Sequence, residues 1–95
     1  MKRVAIYAPF NADAERLLEI KRVVDREAQD LGLKVTGPFA REDNRICVFY
    51  EDEDTKCYVF VDNYDEPLNI EKAALTIRLM ATISMADTRK LDVEA

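Results

Sequence analysis

Two strand-like runs separated by a short acidic turn constrain this chain more than any other feature. Ile46-Cys47-Val48-Phe49-Tyr50-Glu51 and Lys56-Cys57-Tyr58-Val59-Phe60-Val61 are dense in β-branched and aromatic residues, and Asp52-Glu53-Asp54-Thr55 supplies the turn chemistry. They read as a β-hairpin. With the turn centred on Glu53-Asp54, Tyr50 faces Cys57, Val48 faces Val59 and Ile46 faces Val61, while Phe49 faces Tyr58 and Cys47 faces Phe60. One face is then aliphatic (Ile46, Val48, Val59, Val61) and the other aromatic (Phe49, Tyr58, Phe60), where an ordinary half-buried hairpin would alternate apolar with polar. Each face needs a cover.

Upstream, Val4-Ala5-Ile6-Tyr7-Ala8 is a first strand whose pairing stops at Pro9. Asn11 is placed to cap a helix, with Asp13 and Glu15 in the first turn where the helix dipole favours acids. Leu17, Ile20, Val24, Ala28 and Leu31 recur at helical spacing, Glu15, Arg16, Glu19, Arg22, Arg26 and Glu27 fall mostly elsewhere, and Gly32 ends the helix. Leu33-Lys34-Val35-Thr36 alternates like a strand that Gly37-Pro38 bends and that can resume at Phe39-Ala40, so this strand belongs at a sheet edge. After the hairpin, Asn69 caps a second helix running to about Lys90, with Leu91 to Ala95 as a fraying or docking tail.

The expectation is therefore a single α+β domain over residues 1–95: a two-layer sandwich of order β-α-β-β-β-α, with a mainly antiparallel sheet of four strands and two helices on one face. The spatial order second, third, fourth, first suits the pattern, with Pro38 at one edge. The helices would cover the aliphatic hairpin face.

Two apolar surfaces are then left over. In the second helix Ile70, Ala73, Ala74, Ile77, Ala81 and Ser84 make the inward stripe, yet Leu75, Leu79 and Ile83 follow one another at i+4 on the opposite side. On the sheet, Phe49, Tyr58 and Phe60 form an aromatic patch with Cys47 and Tyr7 beside it, of a size that monomers seldom leave unused.

The net charge of −5 argues against a nucleic-acid ligand, whose phosphates would be met by Lys and Arg. No run is long and apolar enough to span a bilayer and Met1-Lys2-Arg3 does not open a signal peptide, so a cytoplasmic location is expected. The chain has no histidine, which removes the commonest general base and the usual partner of a catalytic Cys or Ser. Cys47 and Cys57 have opposite strand parity and read as buried, reduced thiols rather than a disulfide or a zinc pair. Acids collect at Glu51, Asp52, Glu53 and Asp54 and again at Asp62, Asp65 and Glu66, without the spacing of a calcium loop, as a solvated surface that discourages strand pairing.

No catalytic residues, cofactor or metal follow from these patterns. The leading expectation is a non-catalytic, homodimeric binding or assembly module that uses Phe49, Tyr58 and Phe60 as one contact surface and Leu75, Leu79 and Ile83 as a second. The alternative is an acidic inhibitor, of the kind viral and phage counter-defence proteins supply, whose carboxylates stand in for phosphates in the basic groove of a partner protein. A third is a small-ligand sensor or enzyme with a pocket at a dimer seam, containing Tyr7, Cys47 or Arg45.

Overall fold

The computed structural model describes residues 2–53, 55–62, 64 and 67–94, with the backbone alone for 87–94. The elements are β1 (Arg3–Pro9), α1 (Ala14–Leu31), β2 (Lys34–Arg41), β3 (Cys47–Asp52), β4 (Thr55–Val61) and α2 (Ile70–Glu94), in the α+β order expected. The four strands form one mixed sheet of order β2-β1-β3-β4. β1 runs parallel to β2 and antiparallel to β3, and β3 runs antiparallel to β4.

The expected strand order is corrected here: β1 lies inside the sheet rather than at its edge. Val4, Ala5 and Ile6 are all fully buried, so consecutive residues need cover on both faces, which an inner strand receives. The crossover through α1 returns β2 alongside β1 in parallel, and the hairpin of β3 and β4 is added to the other side of β1. Pro38 does fall on an edge strand, as expected.

Both helices lie on one face. Ile20, Val23, Val24 and Ala28 of α1 and Ala73, Ile77 and Ala81 of α2 share one cluster with Val4, Ile6, Val48, Tyr50 and Val59 of the sheet. The small residues of α2 bring its backbone close to the sheet. Ile70, expected on the inward stripe, is instead 41% exposed in the first turn.

Local signals set the helix ends. Asp13, not Asn11, caps α1, its carboxylate accepting the Glu15 amide at 3.1 Å. At the other end Gly32 takes the left-handed conformation (φ 72°), and the Gly32 and Leu33 amides close back on Gln29 and Ala28 at 3.1 and 2.8 Å. Asn69 caps α2 as anticipated, accepting the Lys72 amide at 3.0 Å, but the helix continues past Lys90 to Glu94.

The hairpin register agrees with the sequence reading only near the turn. Glu51 pairs with Lys56, Tyr50 with Cys57 and Phe49 with Tyr58, but a bulge then follows, so that Val48 meets Phe60 and Cys47 meets Val61. Val59 is the extra residue, and its side chain is buried in the core. Beyond it the parity of β4 is reversed.

The bend in β2 has a steric cause. Gly37 sits at φ 100°, and a Cβ there would stand 2.4 Å from the Ile6 carbonyl oxygen of the neighbouring strand, whereas a Cβ on Gly32 would meet nothing within 4 Å. Gly32→Ala is expected to cost only the left-handed backbone penalty, about 1 to 2 kcal/mol. Gly37→Ala must also push two paired strands apart and is expected to cost more than Gly32→Ala, as measured by urea unfolding.

Candidate functional site

The open face of the sheet, opposite the helices, carries a row of rings drawn from all four strands. Phe39 of β2 lies 5.4 Å from Tyr7 of β1, Tyr7 lies 5.3 Å from Phe49 of β3 in an edge-to-face arrangement, and Phe49 lies 4.4 Å from Tyr58 of β4. Pairing explains the placement, because Phe39 is beside Tyr7, Ala5 is beside Phe49 and Phe49 is beside Tyr58. The small side chain of Ala5 leaves room for the larger rings.

Phe60 is not in this row, which corrects the expected aromatic patch. The bulge at Val59 turns Phe60 to the helix side, where it packs half-buried against the core. Phe39 joins the row from the opposite edge of the sheet, and the pairing of the resumed β2 run with Tyr7 is the signal that could have identified it. Nor is the row fully open: Ala5 and Cys47 are completely buried and Phe49 is 5% exposed, leaving Phe39 and Tyr58 at 42% and 51%.

Cations complete the cover. The Lys56 ammonium stands 4.5 Å from the centre of the Tyr7 ring and 4.6 Å from that of Phe49, and the Arg41 guanidinium lies 5.9 Å from Phe49. Arg41 also pairs with Asp43 at 2.6 Å. Bonds to Asp43 and Tyr58 raise the pKa of Arg41, and Asp43 is lowered to about 2 by the Arg41 bond and the Arg45 amide. Burial pushes the Cys47 thiol up, which favours the unreactive protonated form.

The supposed acidic surface divides on inspection. Glu51 points onto the ring face, where it accepts from the Tyr7 hydroxyl at 2.7 Å and from Arg3 at 2.9 Å, with Lys56 at 3.8 Å. Asp62 is buried against Arg16, which donates to its two oxygens at 2.6 and 2.9 Å, and it also accepts the Tyr64 amide at 2.9 Å. Glu51 and Asp62 therefore do not belong to a solvated acidic surface. Glu53 is exposed and Asp52 partly so, while Asp54, Asp65 and Glu66 lie outside the described residues.

Arg16 and Glu27, read as surface positions of α1, are likewise buried. Arg16 ties the start of α1 to the end of β4, and Glu27 receives Arg78 of α2 at 2.6 Å while the same guanidinium reaches Asp30 at 2.7 Å. The pairs of Arg78 with Glu27 and Asp30 tie α2 to α1.

On α2, the three residues expected outside are outside: Leu75, Leu79 and Ile83 are 67%, 55% and 43% exposed. Met80 adjoins them and faces a groove of about 600 Å³ that lies between α2 and β4, floored by Val59 and Phe60. Tyr7, Cys47 and Arg45, proposed for a ligand pocket, do not line it. Both cysteines are free. Among the described residues there is no group of three or more side chains suited to hold a metal, and no helix long and apolar enough to cross a membrane.

No family model, no curated protein and no solved structure matches this chain.

Two predictions follow from the ion pairs. Removing Arg16 strands the Asp62 carboxylate away from water, so Arg16→Met should lower stability by about 3 to 5 kcal/mol in urea unfolding. For Glu51, burial raises the pKa, but the bonds from Tyr7 and Arg3 and the charges of Arg3 and Lys56 outweigh it and leave it below the ordinary 4.5. A depressed folded-state carboxyl contributes stability that is present above about pH 4.5 and lost as pH falls through the lower folded value. Glu51→Gln should therefore reduce the steepness of the acid limb in a plot of unfolding free energy against pH.

Proposed function

We propose that this chain is a non-catalytic homodimeric binding or assembly module whose principal contact surface is the outer face of α2. The observation that carries this reading is the uninterrupted ladder Leu75, Leu79 and Ile83, which stays in water although both helices are already docked. One exposed Leu is ordinary, but three at successive turns with Met80 beside them form a contiguous apolar strip. Burying each such side chain is worth roughly 1.5 to 3 kcal/mol before the costs of association.

Self-association is the simplest use of such a strip, since a two-fold axis lets one surface serve both partners. The sheet face contributes less than the sequence suggested, through Tyr58 and Phe39 rather than a bare three-ring patch. An acidic inhibitor has weaker support, because Glu51 and Asp62 are engaged by basic residues of the same chain.

Native mass spectrometry of the purified chain at micromolar concentration tests the reading. A dimer is expected, and Leu79→Lys should convert it to monomer while leaving the circular dichroism unchanged. A wild-type monomer at every concentration up to several hundred micromolar would sink the proposal.

A further inference from the structure

We propose that the groove between α2 and β4 binds a medium-chain fatty acid, with the alkyl chain laid along the helix and the carboxylate held by Lys72. The site is separate from the outer ladder of α2 on which the homodimer reading rests.

The groove measures about 600 Å³, within the roughly 300 to 1,000 Å³ range of small-molecule sites. Its body is apolar. The bulge that turns Val59 and Phe60 to the helix side supplies the sheet wall, and Leu68, Ala73 and Met80 line it from the other side. Phe60 and Leu68 are only partly buried and Met80 is 36% exposed, so an alkyl chain seated there removes apolar surface from water.

Asn69, Lys72, Thr76 and Met80 succeed one another at i+3, i+4 and i+4, which places them on one flank of α2, along the groove. At 1.5 Å per residue, Lys72 to Met80 spans about 12 Å, which suits an extended chain of roughly eight to ten carbons.

The head group follows from the charges. Among the described residues the lining carries two cations, Arg16 and Lys72, against one carboxylate, Asp62, and Arg16 already donates to both oxygens of that carboxylate. Lys72 is exposed, and its ammonium meets no carboxylate among the described residues. Its neighbours along the flank can also donate. Asn69 uses its oxygen to accept the Lys72 amide, which leaves its NH2 group as a donor, and Thr76 offers a hydroxyl. In a chain of net charge −5, this local surplus of positive charge and donors complements an anionic head, and a carboxylate accepts from all three side chains.

Calorimetric titration of the purified chain with decanoate tests the site. Saturable binding of one decanoate per chain is expected, with amide NMR shifts concentrated at Val59 to Val61 and Lys72 to Met80. Lys72→Glu should weaken binding at least about tenfold, whereas Lys34→Glu, the same charge change on the far edge strand, should leave it unaltered. Thr76→Phe, which fills the groove at constant charge, should abolish binding, with circular dichroism to check that each variant folds. The site is overturned if decanoate does not saturate, if decyltrimethylammonium binds equally well, or if an end-blocked apolar pentapeptide shifts these amides and decanoate does not. Decanoate bound one-to-one by a monomer upholds the site and counts against the homodimer; a dimer that ignores decanoate does the reverse.

Discussion

One extra residue in β4 decides what the end of the hairpin can contribute. Up to Tyr58 the strand alternates as its sequence implies, with Tyr58 on the open face against Phe49. Val59 then breaks the alternation, and Phe60 and Asp62 both turn toward the helices. Phe60 adds to the core, while Asp62 meets Arg16 in a buried pair that joins β4 to the start of α1. Without the bulge Asp62 would lie on the ring face and Arg16 would sit beneath the helix without its carboxylate. An unpaired buried charge of that kind is among the costliest defects a small core can contain.

The open face shows how a sheet with helices on one side can shelter aromatic residues on the other. The rings cover one another and the small residues beneath them, so Ala5 and Cys47 are excluded from water with no helix above. The charged ends of Arg3, Lys56 and Arg41 meet Glu51 and Asp43 or the ring faces on the same surface. The result is a thin second layer of side chains. It answers the demand for cover that the two-faced hairpin creates, and it does so largely within one chain.

Features governed by a few adjacent residues were legible in the sequence: the hairpin turn, the Gly32 helix end, the Asn69 cap, the edge position of Pro38, and the outward ladder on α2. Features governed by residues far apart were not. The inner position of β1 depends on which strand the crossover helix returns beside, and its apolar run only hints at cover on both faces. The bulge has no Gly or other local mark, since Val59 is as good a strand residue as its neighbours. Arg16, Glu27, Glu51 and Asp62 were read as solvated because charged residues usually are. Their partners are 46, 51 and 48 positions away in the chain, a separation at which only the folded arrangement reveals the pairing.

These corrections shift the weight of the functional reading from the sheet face to α2. The apolar surplus first inferred from the hairpin is mostly absorbed by the ring row and by the inward turn of Phe60, so a second body is no longer required there. The helix strip has no comparable remedy. α1 already lies against the side of α2 that carries Arg78, held by Glu27 and Asp30. It cannot also reach Leu75, Leu79 and Ile83 on the far side. Among the described residues that strip stays open to solvent, which is why the proposed contact surface is placed on α2 rather than on the sheet face.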